Sequence, residues 1–141
     1  MIVRNAVSKD YKELMALYDA FMEVDRYASL SKDSFQKVIA SKRNFVLIAE
    51  DKARLAGFIT ASARIVVRYP QPIMQVDELY VDPDFREHGL GKKLIQAIED
   101  IAYENNWHRI YIESGYKYTI AHKFYEKNGY EKQGYYFKKV L

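Results

Sequence analysis

Apolar residues recur with two different spacings along this chain. Between residues 11 and 22 they fall every three or four positions, which places them on one face of a helix. A shorter stretch that begins at Ser31 puts Phe35, Val38 and Ile39 on one side and predicts a second helix. Other segments are rich in β-branched and apolar residues and predict strands. These strands are residues 2–5, 44–50, 54–69 and 73–81.

The second half of the chain alternates helical and strand-like segments. A helix is predicted over 89–104, a buried strand over 108–113, another helix over 119–129 and a last strand over 134–141. The strand before the first of these helices and the strand after it should be parallel, because they form a crossover unit. The element order β-α-α-β-β-β-α-β-α-β predicts a single mixed α/β (α+β) domain over residues 1–141. Its central sheet should be mostly antiparallel, with helices on both faces.

Composition narrows the classes of function. The chain has 141 residues and a formal net charge of +3, with acids and bases interspersed, so it does not resemble a polybasic nucleic-acid binder. It has no cysteine, which excludes a disulfide scaffold and a zinc–thiolate site, and His88, His108 and His122 show no metal-binding spacing. No apolar run reaches membrane-spanning length and the first residues lack a signal-peptide pattern. We therefore expect a cytoplasmic protein with neither a membrane nor a nucleic-acid partner.

A glycine-containing turn between a strand and a helix is the first candidate site. Gly89 and Gly91 lie where the helix begins, flanked by Arg86 and Lys92. The first amide groups of a helix have no partner inside it, and the helix dipole adds partial positive charge there. Glycine leaves this backbone accessible, so the turn is suited to a pyrophosphate group.

A purely structural interpretation of the turn is also open. The glycines can simply make a tight strand-to-helix connection, with the basic residues solvated. Other phosphate-binding motifs fit less well. Arg86 stands where a P-loop needs its first glycine, and Leu94 stands where the dinucleotide fingerprint needs its third.

Two segments of the chain resemble motifs of one family. Residues 86–91, Arg-Glu-His-Gly-Leu-Gly, match the Arg/Gln-x-x-Gly-x-Gly/Ala signature of the GCN5-related N-acetyltransferases, abbreviated GNAT. Residues 77–85 resemble that family's fourth strand and the loop after it, and residues 121–130 resemble its last helix with the ending Phe-Tyr-Glu-x-x-Gly-aromatic. The resemblance covers residues 45–141 by motif and residues 1–44 by the order of elements.

The resemblance implies an acetyl-CoA-dependent enzyme that moves the acetyl group to an amine by direct attack in a ternary complex. The pantetheine arm would pair with the backbone of the fourth strand, and the amides of the turn would hold the pyrophosphate. Tyr118 stands where many relatives carry an asparagine that contacts the cofactor. Glu87 and His88 replace a commoner glycine and a commoner lysine or glutamine. The implied cofactor-binding residues are Leu79, Tyr80, Val81, Arg86, Glu87, His88, Gly89, Leu90, Gly91, Lys92, Tyr118 and Phe124.

The implied chemistry needs an acid, a base and an oxyanion donor. Tyr125 matches the family's acid tyrosine, which can protonate the departing thiolate; the alternative is a packed aromatic ring next to Phe124. The backbone N–H of Val81 is the candidate oxyanion donor. The candidate bases are Glu78, then Asp77, then Glu113; for each the alternative is a surface carboxylate, and a relayed water or no single base also fits. Neighbours on a strand face opposite sides, so at most one of Asp77 and Glu78 should face the amine unless a bulge re-aims it.

The acceptor site of this family is built from the first two helices and the turn before the fourth strand. Acidic residues there would attract a cationic amine, and other residues would form an apolar wall. The acidic candidates are Glu23, Asp25 and Asp77, and the wall candidates are Tyr27, Tyr69 and Met74. A small-molecule amine is the leading acceptor. The alternatives are a protein N-terminus or lysine, or a non-catalytic acyl-CoA sensor; relatives that dimerise through their C-terminal strands make a homodimer compatible with the resemblance.

Overall fold

The computed structural model describes residues 1–22 and 30–141. The chain divides into two compact units, Met1–Tyr111 and Ile112–Leu141, and each is described by itself. Within the described ranges, no helix combines the length and the apolar character needed to cross a membrane.

A five-stranded sheet contains the strands in chain order, β1-β2-β3-β4-β5. They are β1 (Ile2–Asn5), β2 (Asn44–Asp51), β3 (Arg54–Arg64), β4 (Ile73–Val81) and β5 (Ile110–Ile112). The first four strands pair antiparallel, and β5 lies parallel to β4. The predicted mixed, mostly antiparallel sheet with one parallel crossover is therefore confirmed.

Four α-helices in the described part of the chain connect and follow these strands: α1 (Tyr11–Phe21), α2 (Lys32–Ala40), α3 (Leu90–Glu104) and α4 (Thr119–Lys127). Ser31 is the N-cap of α2, in agreement with the predicted start of this helix, and its hydroxyl oxygen accepts a hydrogen bond from the N–H of Ser34 at 3.1 Å. Short 3₁₀ turns precede α1 and follow β4.

Helices cover both faces of the first unit's sheet. On one face, α1 and α2 bury Leu14 and Phe35 against Ile48 and Phe58. On the other face, α3 packs on β2, β3 and β4, with Leu94 and other apolar residues fully buried. Burying one such side chain contributes about 1.5–3 kcal/mol. These two apolar layers hold β3 and β4 in place, and these strands carry the candidate site.

A partly buried ion network holds the start of α1 against the sheet. The guanidinium of Arg4 on β1 donates to both carboxylate oxygens of Asp10, at 2.8 and 3.0 Å, and to Glu50 on β2 at 2.7 Å. Asp10 also accepts the backbone N–H of Val7 at 2.7 Å. The hydrogen bonds from Arg4 hold the pKa of Asp10 below its ordinary value, so the ionised form is favoured in the folded state.

Some predicted strand ends are wrong. The stretch predicted to be a strand up to residue 69 leaves the sheet after Arg64, and β5 has three residues instead of six. The last strand predicted over 134–141 is not formed: these residues have no strand assignment, and Tyr135 and Phe137 are each 93% exposed. Aromatic and β-branched residues make a segment suitable for a strand, but a strand forms only where a neighbour supplies its hydrogen bonds.

Candidate active site

An irregularity in β4 determines which way its acidic residues face. Thr60 of β3 pairs with Glu78, and the next residue, Ala61, pairs with Val76, so Asp77 is an extra residue in β4. One extra residue opposite a regular strand is a β-bulge. The predicted alternation of Asp77 and Glu78 is therefore interrupted at the one point where both side chains are of interest.

The bulge brings both carboxylates to one face of the sheet. Glu78 accepts a hydrogen bond from the hydroxyl of Thr60 at 2.9 Å, and Asp77 accepts one from Ser62 at 3.3 Å. Thr60 and Ser62 are two positions apart on β3 and therefore lie on the same face. This is the face of Phe58, against which α1 packs. The sequence named a bulge as the exception to strand alternation, and β4 contains that bulge, so both carboxylates lie on one face.

Tyr18 on α1 makes a second hydrogen bond to Glu78. Its hydroxyl donates to the same carboxylate oxygen, Oε2, that accepts from Thr60. The Tyr18 ring stacks on Phe58, with centroids 4.4 Å apart. Burial and then the charge of Glu78 raise the pKa of Tyr18, so its phenol is protonated at neutral pH and acts as a donor.

The backbone beyond the bulge offers hydrogen-bonding groups on the side away from β3. The N–H of Asp82 donates to the carbonyl of Ala56 at 3.0 Å, so Asp82 and, two residues earlier, Tyr80 direct their backbone groups at β3. By the same alternation, Leu79 and Val81 direct theirs to the other side. Of the three residues predicted to pair with a ligand through their backbone, Leu79 and Val81 remain candidates, and the Tyr80 backbone is used within the sheet.

Gly57 permits the close approach of β3 to this end of β4. A Cβ atom at Gly57 would lie 2.6 Å from the carbonyl oxygen of Tyr80, which is well inside contact distance. The side chain of Tyr80 packs against Phe58 and Phe21, with ring centroids 6.0 and 5.6 Å away. The strand end next to the loop is therefore held by both backbone and aromatic contacts.

The loop from Arg86 to Gly89 leads directly into α3. Gly89 precedes the helix with a left-handed backbone, φ +74°, and Glu87 is also left-handed, φ +65°. A Cβ atom built on Gly89 would meet no protein atom within 4 Å, so the backbone there faces open space. The Lys93 N–H donates to the Gly89 carbonyl at 3.1 Å as the first bond of the helix. The amides of residues 90–92 precede this ladder and are available to an anion.

The side chains of the loop divide into anchors and exposed groups. Leu90 is 1% exposed, so its side chain is part of the core and only its amide can reach a ligand. The Nε of Arg86 donates to the Val81 carbonyl at 2.9 Å, and its guanidinium carbon lies 5.8 Å from the centre of the Tyr80 ring. Arg86 thus braces the loop against the end of β4. Lys92 and His88 are exposed.

The second unit contains Tyr125 on α4. Its half-buried ring contacts Phe124 and Tyr130 edge-on, with centroids 5.6 and 6.3 Å apart. Burial raises the pKa of Tyr125, so its hydroxyl is protonated at neutral pH and suited to act as an acid. Tyr118 occupies the position before α4 without capping it through its side chain, and Glu113 is exposed.

A model of the acetyltransferase (GNAT) family matches residues 11–130. The chain belongs to the GNAT family of acetyltransferases. The uncharacterized N-acetyltransferase YhfO of Bacillus subtilis is 27% identical over 134 residues, covering 93% of this chain and 90% of YhfO.

Solved structures share the fold of this acetyltransferase. An aminoglycoside acetyltransferase from an uncultured soil metagenomic sample, in complex with sisomicin, has a TM-score of 0.88 at 20% identity over 99% of this chain and 95% of that one. AAC(6′)-Iy in complex with the bisubstrate analogue CoA-S-monomethyl-acetylneamine has a TM-score of 0.83 at 17% identity over 99% of this chain and 98% of that one.

Not all predicted acceptor residues of this GNAT enzyme lie where expected. Met74 is fully buried, so its assignment to an open acceptor wall is wrong: upstream of the bulge it faces the core beside Ala63. Tyr69 does lie near the surface, where its hydroxyl is 3.2 Å from that of Tyr111 and the Arg109 guanidinium is 4.1 Å from its ring centre. The remaining acceptor candidates, Glu23, Asp25 and Tyr27, lie outside the described residues.

A shallow depression of about 450 Å³ lies between α3 and the start of β5. Its lining includes Glu99, Tyr103, Trp107 and His108, and none of the residues predicted for catalysis or cofactor binding. No cluster of potential metal ligands is found among residues 1–22 and 30–141. The backbone of the loop and the β4 carboxylates therefore remain the candidate site of the first unit.

Sequence reasoning missed Tyr18 and Thr60. Tyr18 fits the apolar spacing of residues 11–22, which predicts only helix packing, and Thr60 is one of many small residues in β3. A signal did exist at β4, where Asp77 and Glu78 follow one another. In a regular strand, one of two adjacent acids would have to face an apolar layer, so the pair indicates a bulge.

Proposed function

We propose that this GNAT enzyme uses acetyl-CoA as its acetyl donor and acetylates the primary amine of a small molecule by direct attack in a ternary complex. The observation that carries the donor assignment is the loop at the start of α3, where the left-handed Gly89 leaves its backbone open and residues 90–92 offer amides. Acetyl-CoA would supply the activated thioester. The bisubstrate complex of AAC(6′)-Iy supports the same choice of donor.

The residues of the first unit would take the following roles. The loop amides would bind the pyrophosphate, with Lys92 contributing charge. The backbone of Leu79 and Val81, directed away from β3, would pair with the pantetheine arm, and the Val81 N–H would stabilise the oxyanion. Arg86 connects the loop to the Val81 carbonyl, and this contact would hold the loop amides and the backbone of β4 at a fixed distance from each other.

The acid and the base would come from tyrosine and glutamate. Tyr125 is the proposed proton donor to the departing CoA thiolate, because its half-buried phenol is protonated at neutral pH. Glu78 is the proposed proton acceptor for the amine, since it is held in place by two hydroxyl groups. Asp77, exposed on the same face, would attract the cationic form of the amine. Glu113 stays the third candidate for the base.

A small-molecule acceptor is favoured over a protein acceptor by two structural neighbours, which hold sisomicin and an acetylneamine conjugate. The test is release of free CoA from acetyl-CoA in the presence of a panel of amines: polyamines, aminoglycosides, amino acids, lysine peptides and peptides with free N-termini. Turnover with a small amine and not with peptides is the expected outcome. Turnover with peptides alone would show that the acceptor is a protein N-terminus or lysine and not a small-molecule amine.

Tyr125→Phe distinguishes the enzyme from a binding protein. We expect a loss of kcat of about 100-fold, the usual lower range for general acid catalysis, with the Kd for acetyl-CoA unchanged. Tight binding of acetyl-CoA by the wild type without turnover on any amine would instead support an acyl-CoA sensor.

A further inference from the structure

The carboxylate of Glu78 is restrained from two elements at a single oxygen. Tyr18 donates from α1 and Thr60 donates from β3, and both hydrogen bonds end on Oε2. A glutamate side chain has several rotatable bonds and normally samples many rotamers at a sheet surface. Two donors on one oxygen restrain the carboxylate, and neither of these hydrogen bonds uses Oε1.

The restraint from Tyr18 is rigid because its ring is packed. Besides stacking on Phe58, the ring makes an edge contact with Phe21, with centroids 6.4 Å apart. The ring therefore cannot turn without disturbing the aromatic layer. Tyr18 is also donor-only toward Glu78 at neutral pH, because burial and the neighbouring carboxylate raise the pKa of its phenol.

Other charged and polar groups on β4 and around β5 have their own contacts. On β4, Asp77 accepts from Ser62 and contributes negative charge around Tyr18. Arg109, which precedes β5, and Tyr111 on β5 contact Tyr69. Among the described residues, the contacts to Glu78 that are fixed by geometry are thus the two hydroxyls.

We propose that Tyr18 is a positioning residue for the acetyl transfer: with Thr60 it holds Oε2 of Glu78 so that Oε1 receives the proton of the acceptor amine. This inference rests on the proposed function. In the step itself, the ammonium N–H bond breaks, its electron pair stays on nitrogen, and the proton ends on Oε1 directly or through one water. The nitrogen pair then forms the C–N bond to the thioester carbonyl, the C–S bond breaks, and CoA leaves as the thiolate, for which Tyr125 is the proposed proton donor. Tyr18 does not touch the amine and acts only through Glu78.

A double-mutant cycle separates positioning from structural support. Tyr18→Phe keeps the ring and removes the hydroxyl, and should lower kcat about tenfold while leaving the KM for acetyl-CoA unchanged. Glu78→Gln should lower kcat about 100-fold. In the Glu78→Gln background, Tyr18→Phe should change kcat less than about twofold, because the group that Tyr18 positions is no longer a base.

Matched variants control for loss of a hydrogen bond as such. Tyr11→Phe makes the same chemical change on the same helix, where the hydroxyl donates to the Leu30 carbonyl at 2.7 Å, and should leave kcat unchanged. Thr60→Val should resemble Tyr18→Phe, and Thr60→Ser, which keeps the hydroxyl, should restore wild-type kcat. Thermal unfolding of each variant confirms that it is folded.

Two results would overturn the inference, and only one of them would also overturn the proposed function. If the wild type turns over and Tyr18→Phe either retains full kcat or lowers it equally in both backgrounds, Tyr18 is not a positioning residue and the proposed function stands. If the wild type acetylates no amine of the panel, the proposed function fails and this inference fails with it.

Discussion

Gly89 is the position at which ligand binding and fold stability can be separated most clearly. Its φ of +74° lies in the left-handed region, and a Cβ atom there would meet nothing within 4 Å. Gly89→Ala should therefore cost stability only through the backbone, about 1 kcal/mol, because no protein atom is displaced. For a chain of this size, that corresponds to a fall in Tm of about 4 °C.

The expected effect on acetyl-CoA is much larger. The new methyl group would project into the open space in front of the helix amides, where the pyrophosphate is proposed to lie. Losing one hydrogen bond to a charged group costs about 1.5–3 kcal/mol, which weakens binding by about 10- to 100-fold. Isothermal titration of acetyl-CoA into the wild type and the variant measures this change directly.

Gly129 is a matched control for the backbone effect. It also has a left-handed backbone, φ +90°, and a Cβ atom there likewise meets nothing within 4 Å. Gly129→Ala should lower Tm by a similar amount and leave the Kd for acetyl-CoA unchanged. Wild-type affinity in Gly89→Ala, or an equal loss of affinity in both variants, would refute the assignment of the loop.

Further predictions concern stability. Asp10→Asn should destabilise the fold by about 1–3 kcal/mol at pH 7, because Arg4 loses one of its two carboxylate partners. The folded-state pKa of Asp10 is depressed, so this contribution is present above its unfolded pKa near 4 and is lost as the pH falls further. Urea unfolding should thus show the gap between variant and wild type narrowing near pH 3; an unchanged gap would contradict the role of the pair. Ala53→Gly should raise Tm by a few degrees, since Lys52 and Ala53 have φ of +47° and +65° in the β2–β3 turn, and a lower Tm would argue against that turn geometry. Met74→Ala should lower the free energy of unfolding by about 2–5 kcal/mol and leave the KM for the amine unchanged. A changed KM for the amine in the folded variant would show that Met74 does contribute to the acceptor site.

Local sequence patterns predicted the elements of the first unit because those elements are held by the layers their apolar residues form. The helix after the glycine turn was predicted at 89–104 and begins at Leu90, because the spacing of its buried leucines and isoleucines follows the core beneath it. The segment 134–141 is also rich in aromatic and β-branched residues, yet it forms no strand. Composition indicates which segments can form a strand, but the hydrogen bonds of a strand need a neighbouring strand, which the local sequence does not specify.

The candidate site was predictable where it is local and not where it is assembled from distant segments. The loop 86–92 is continuous in sequence, and its position between β4 and α3 is the predicted one. Tyr18 is 60 residues from Glu78, and Thr60 is 18 residues from it. Their hydroxyls meet one carboxylate oxygen only because of the packing of α1 and the register of β3 with β4, and neither can be read from one sequence.

The bulge at Asp77 connects the error at Met74 with the position of Glu78. Upstream of it, Met74 and Val76 pair with Ala63 and Ala61, on the sheet face opposite Phe58, and both are buried. With regular alternation, the next even-numbered residue, Glu78, would enter that same apolar layer, at a cost of several kcal/mol for an unpaired charge. The extra residue shifts the alternation by one, so Glu78 faces α1 and accepts hydrogen bonds from the hydroxyls of Tyr18 and Thr60. A single inserted residue thus lets one strand supply the core with its first half and the proposed active site with its second half.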